Sequence, residues 1–171
     1  IASTYDIQAT VTMAVNYTLT RKIDGVICIA ADIPLTVASV AKALKLPGLA
    51  IETAIIAADK FKMRCALGDA GLAIPEYRKI TALNELMDII GAWNFPLIMK
   101  PVDSRGARGV LRLTPDVDLT WAWDFCRTSG SSGQVIVEKF LEGPQISTEA
   151  IIVEGVGYPI GFSDRNYEYL D

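Results

Sequence analysis

The chain has 171 residues, 51% apolar and 21% charged, with 16 basic against 20 acidic side chains and a net charge of −4. That composition can bury a core, and the absence of a long basic run argues against nucleic acid as the main partner. Histidine is absent, which removes every mechanism using imidazole as base or metal ligand, and the longest uncharged apolar runs are far too short to span a bilayer.

Residues 6–22 carry apolar side chains at Ile7, Val11, Ala14, Val15, Tyr17 and Leu19, the spacing of one helix face, with Asp6 as its cap. After the Asp24-Gly25 turn, the continuous apolar run 26–31 predicts a buried parallel strand. Pro34 then opens a helix that runs to about Lys45, since its missing N–H is no loss in a first turn. Residues 49–51 read as one more short strand. Helix, strand, helix, strand is half of a doubly wound α/β sheet. Residues 53–70 predict one long helix stopped by Gly71 and Pro75, with Asp59-Lys60 as a solvated interruption of its apolar stretch.

A short extended stretch, 76–80, leads to an amphipathic helix over 83–93. Residues 96–99 form an apolar strand that ends at Lys100 and Pro101, followed by the polar turn DSRGARG and a return to strand at Val110. A helix over 116–128, a flexible connector SGSSG at 129–133, a strand over 135–140 and a hairpin over 146–162 complete the chain. The second half is therefore a small α+β unit able to close over a ligand. Cys28, Cys65 and Cys126 have apolar neighbours and no metal-type spacing, so they read as buried thiols of a reducing, cytoplasmic compartment. No signal peptide is visible. The chain starts at Ile1 and ends at Asp171 just after a strand, so both ends read as cut and a fragment of a longer protein is expected.

Two features carry chemistry. Lys100 at a strand end faces a loop with Gly106, Gly109, Arg105 and Arg108. Glycines let backbone amides approach phosphate oxygens, and the cations neutralise them. An ordinary hairpin with a solvated tip fits the same residues. Glu138 lies in an otherwise apolar strand, where an unpaired carboxylate is costly. Either the amino group of an adenine or a nearby Lys or Arg would satisfy it.

Four segments in order, ADKFKM at 58–63, AGLAIP at 70–75, FPLIMKPVDSRGARG at 95–109 and VIVEKFLEGPQISTE at 135–149, resemble the ATP-grasp superfamily, nearest its carboxylate–amine ligase and carbamoyl-phosphate-synthase-like members. The resemblance covers nearly the whole chain. It implies an α/β and α+β architecture: a partial doubly wound pre-grasp domain over 1–58, then a partial ATP-grasp domain over 59–171 whose lid subdomain spans about 76–138, with the start of the last subdomain beyond it.

The resemblance implies that Lys60 and Lys100 contact ATP phosphates and that the loop Ser104, Arg105, Gly106, Arg108 and Gly109 folds over them. Glu138, Lys139 and Leu141 would form the adenine hinge. Gln145 falls where many relatives carry a ribose-binding acid; an amide donates and accepts but bears no charge. The implied partners are ATP or ADP, a small-molecule carboxylate and an amine, with no nucleic acid and no membrane, and with room for a homodimer. Magnesium is implied, with ligands on strands beyond this chain's end, so no metal ligand is assigned, and no catalytic residue either. The implied activity is that of the ATP-binding portion of an ATP-dependent ligase; a nucleotide-binding module without turnover and a structural α/β domain are the alternatives.

Overall fold

The computed structural model describes residues 3–29 and 31–165, which fall into two compact units, Ile1–Phe140 and Leu141–Asp171. The first unit opens with α1, Ile7–Tyr17, capped by the Asp6 carboxylate, which accepts from the Ala9 amide at 2.9 Å. α1 ends at Tyr17 rather than Lys22. α2, Pro34–Ala43, carries its proline at the first helical position, and the Thr36 hydroxyl donates to the Thr4 carbonyl at 2.9 Å.

Between these helices the predicted parallel strand is absent. Residues 22–28 form no ladder, and Ile27 and Ile29 are 83% and 91% exposed. Ala30 of that run lies outside the described residues. A continuous apolar run becomes a buried strand only where neighbours supply its hydrogen bonds, and among the described residues no strand lies beside this one. The short strand expected at 49–51 is likewise not formed, because Ile51 already begins a helix. The mixed α/β class holds, but the sheets described are antiparallel.

The single helix expected over 53–70 is two: α3, Ile51–Ala58, and α4, Lys60–Asp69. Asp59 between them is extended at φ −128°, ψ 114°, and its carboxylate accepts from the Phe61 and Lys62 amides at 2.9 and 3.0 Å. An aspartate competes with the helical ladder for nearby amides and favours caps. The break releases the Lys60 amide, which donates to the Val102 carbonyl at 2.8 Å and ties the start of α4 to the far end of the central strand.

Next come β1, Tyr77–Ile80; α5, Leu83–Trp93; β2, Leu97–Pro101; β3, Leu111–Leu113; α6, Leu119–Thr128; and β4, Val135–Lys139. Pro101 belongs to β2 and pairs with Val135, at a strand end where a missing N–H is tolerated. α6 begins at Leu119 rather than 116 because Asp118 takes the cap, accepting from the Thr120 and Trp121 amides. The sheet order is β1-β4-β2-β3, antiparallel throughout. Leu97, Met99, Val135 and Val137 face a core completed by Ile80, Leu113, Leu86 and Ile89 of α5, and Ala122, Trp123 and Cys126 of α6. Because strand side chains alternate, Ile98, Lys100, Ile136 and Glu138 are placed on the other face. Of the three cysteines, Cys126 is fully buried but Cys28, in the segment that forms no ladder, and Cys65, on α4, are only half-buried.

The second unit is a hairpin of β5, Ile146–Val153, and β6, Val156–Asp164. Glu154 and Gly155 form its turn with φ of 50° and 81°, the two positive values that suit a tight hairpin.

Candidate functional site

Glu138 is 4% exposed in the middle of β4 and holds two cations. Arg64 donates through Nε to Oε1 at 2.6 Å and through Nη2 to Oε2 at 3.4 Å. Lys100 donates to Oε2 at 2.6 Å. Burial opposes ionisation of this carboxyl, but the hydrogen bonds from Arg64 and then Lys100 outweigh it and hold the group below the usual glutamate value. Of the two partners considered from the sequence, the basic side chain is the one present. Arg64 was missed there. Its signal is the spacing from Lys60: four residues apart on a helix, the two share a face.

Lys60 begins α4 and donates to the Ser104 carbonyl at 2.6 Å. Burial lowers its pKa most, followed by the charges of Arg105 and Lys100, so both cations stand close enough to be felt. Arg105 in turn donates to the Ala58, Asp103 and Ser104 carbonyls at 2.9, 3.1 and 3.2 Å. Arg64 and Lys100 thus close on Glu138, while Lys60 and Arg105 meet at the Ser104 carbonyl with the charge of Lys100 within reach of Lys60, a grouping of cations suited to a polyanion.

The loop after β2 is built into this cluster. Ser104 is buried and its hydroxyl donates to the Arg108 carbonyl at 2.8 Å, while Arg108 Nε donates to the Arg105 carbonyl at 3.1 Å. Gly106 and Gly109 have φ of 60° and 72°. At Gly109 a Cβ would also lie 2.5 Å from that of Ser129 and 2.9 Å from the Pro101 ring. The SGSSG segment is therefore no free connector. Asp103 accepts from the Ser131 amide and hydroxyl at 3.2 and 2.5 Å and from the Ser132 amide at 2.8 Å, fastening it to the foot of the loop.

Lys60, Ser104, Arg105 and Gly106 open onto a cleft of about 700 Å³ whose remaining wall includes Val26, Ile33, Val37, Leu49 and Met63. Lys139 is turned away from this cleft: its ammonium pairs with Glu76 and lies 5.9 Å from the Trp93 ring, and its amide donates to the Glu76 carbonyl at 3.0 Å. Leu141 and Gln145 belong to the second unit. There Leu141 is 65% exposed, and the Gln145 carbonyl accepts from the Arg165 amide at 3.0 Å. Among the described residues no group of three or more Cys, Asp or Glu side chains is placed to hold a metal ion.

Solved structures resemble the chain as a whole. The L-amino acid ligase of Bacillus licheniformis aligns with 96% of this chain and 38% of its own at a TM-score of 0.75 and 23% identity. An ADP complex of PurK, N5-carboxyaminoimidazole ribonucleotide synthetase, aligns with 99% of this chain and 43% of its own at 0.74 and 17% identity. The chain has the ATP-grasp fold. In sequence, the formate-dependent phosphoribosylglycinamide formyltransferase of Xanthomonas axonopodis pv. citri is 33% identical over 114 residues, 63% of this chain and 28% of that protein. No protein-family model matches the chain. The chain spans less than half the length of each of these three proteins.

Proposed function

We propose that the chain is the ATP-binding portion of an ATP-dependent ligase that activates a carboxylate and joins it to an amine. The observation that carries this reading is that Arg64 and Lys100 close on Glu138 while Lys60 and Arg105 meet at the Ser104 carbonyl of a loop whose Gly106 and Gly109 have positive φ. The relatives' names support it: L-amino acid ligase is one, and PurK was captured with ADP.

In this reading Lys60 and Lys100 bind the phosphates, and Ser104, Arg105, Gly106, Arg108 and Gly109 close over them. Glu138 accepts from the adenine amino group. The substrate carboxylate lies in the 700 Å³ cleft, its anionic end toward Lys60 and Arg105 and its chain on the apolar wall. A carboxylate oxygen attacks the γ-phosphorus and ADP leaves, giving an acylphosphate. The amine then attacks the acyl carbon, phosphate departs, and the amine proton passes to solvent. These residues position and neutralise rather than exchange protons, so the lack of histidine is no obstacle. Among the described residues no group of three or more Cys, Asp or Glu side chains is placed to hold a magnesium ion. The division into a pre-grasp part, 1–58, and an ATP-grasp part, 59–171, belongs to the same proposal, as do a cytoplasmic setting and a homodimer.

Calorimetric titration with ATP and ADP tests the reading. Saturable binding by the wild type that weakens in Lys100→Ala supports it, and equal affinities would remove Lys100 from the site. Competition tests the base: ATP should bind in preference to GTP, because guanine presents a carbonyl where adenine has its amine.

A further inference from the structure

Arg64 has no role in the phosphate and base contacts assigned above, yet it makes two contacts to the buried Glu138 carboxylate. The two cations on Glu138 are not equivalent. Arg64 approaches Oε1 through Nε at 2.6 Å and reaches Oε2 only at 3.4 Å. Lys100 makes one contact, to Oε2 at 2.6 Å. The guanidinium is a planar group delivered by a helix whose start is fixed by the Asp59 cap and by the bond from the Lys60 amide to Val102. The ammonium is a point charge on a flexible stem. Glu138 itself is immobilised between β1 and β2, paired with Tyr77 on one side and Ile98 on the other.

We propose that Arg64 is a positioning residue that keeps Oε1 of Glu138 fixed while Oε2 passes from the Lys100 ammonium to the amino group of an incoming base. Lys100 is the exchangeable partner: phosphates draw it off Glu138, and the vacated oxygen reads the base. This inference rests on the nucleotide-site reading above. Without Arg64, Lys100 becomes the sole cation on a buried carboxylate and is harder to release, since an unpaired buried charge is strongly unfavourable. The carboxylate is also free to turn, so its selection of an amine over a carbonyl weakens.

The test compares ATP and GTP affinities in the wild type, Arg64→Met and Arg64→Lys, by competition against a fluorescent ATP analogue. Arg64→Met should weaken ATP binding and shrink the ATP-over-GTP preference, each by roughly tenfold, the scale of one charged hydrogen bond. Arg64→Lys should fall between, and it carries the test alone if Arg64→Met does not fold. In a Glu138→Gln background, Arg64→Met should change the preference no further, because both act through the same carboxylate. Wild type with no saturable ATP binding overturns the nucleotide reading and this inference together. Binding whose base preference is unmoved by either substitution overturns the role of Arg64 alone. An undiminished effect in the Glu138→Gln background shows that Arg64 touches the nucleotide directly, and likewise overturns the positioning role.

Discussion

Lys100 and Glu138 stand on neighbouring strands but not opposite one another. The register pairs Ile98 with Glu138 and Lys100 with Ile136, so the 2.6 Å bond between ammonium and carboxylate is a diagonal across one face of the sheet. Such diagonal neighbours are within reach of long side chains. The bond joins the residue proposed to hold phosphate to the residue proposed to read the base, so changes at either are expected to be felt at both.

Replacing Lys100 with alanine should weaken ATP binding by about one to two decades, since a hydrogen bond to a charged group contributes roughly 1.5–3 kcal/mol. Isothermal titration of both proteins measures this directly.

Acid should destabilise the chain partly through Glu138. Its native pKa is held low by Arg64 and Lys100 against the effect of burial. A depressed carboxyl adds stability that is fully present above its unfolded pKa, about 4.3, and that is lost as pH falls through the lowered native value. Glu138→Gln should cost about 2 kcal/mol at neutral pH and flatten the stability curve below about pH 5. Urea titrations between pH 3 and 7 would show the two curves converging toward acid; parallel curves would exclude this source.

The loop glycines should differ in their tolerance of alanine. Gly109→Ala meets both a positive φ of 72° and a Cβ 2.5 Å from Ser129, whereas Gly106→Ala meets a φ of 60° with open space around it. The first should cost about 2–4 kcal/mol and the second about 1 kcal/mol. Thermal melts would rank them, and a Gly106→Ala at least as damaging as Gly109→Ala would contradict the packing at Ser129.

Cys126 should resist alkylation in the native state. It is fully buried, and burial, opposed by the charge of Lys60, pushes its thiol up to about 12. Iodoacetamide followed by mass spectrometry should label Cys28 and Cys65 first, and Cys126 only after denaturation.

Nucleotide should stabilise the chain without being consumed. At roughly 100 times the dissociation constant, ADP adds about 2.7 kcal/mol, a melting shift on the order of 5–10 °C for a chain of this size. ATP hydrolysis and ligation should stay at background, because among the described residues no group of three or more Cys, Asp or Glu side chains is placed to hold the magnesium that phosphoryl transfer needs. Turnover that disappears in Lys100→Ala would place the metal site inside this chain.

The sequence by itself determined the local elements of the second half. β1, α5, β2, α6, β4 and the hairpin lie where apolar periodicity and turn residues put them, because period and propensity are properties of short stretches. It also determined that the glycine loop follows a strand whose end carries Lys100 and that Glu138 needs a partner. It did not determine which partner. Arg64 lies 74 residues from Glu138 in sequence, and only the packing of α4 on the second face of the sheet brings them together. Nor did it determine the state of residues 22–28, whose apolar run encodes a strand only in company with other strands, or of the SGSSG segment, whose composition reads as a linker until Asp103 is found to hold it. For Glu138 and the SGSSG segment the deciding energy comes from a charge pair or hydrogen bond between distant segments, for residues 22–28 from the lack of strand neighbours among the described residues, and no local pattern contains either.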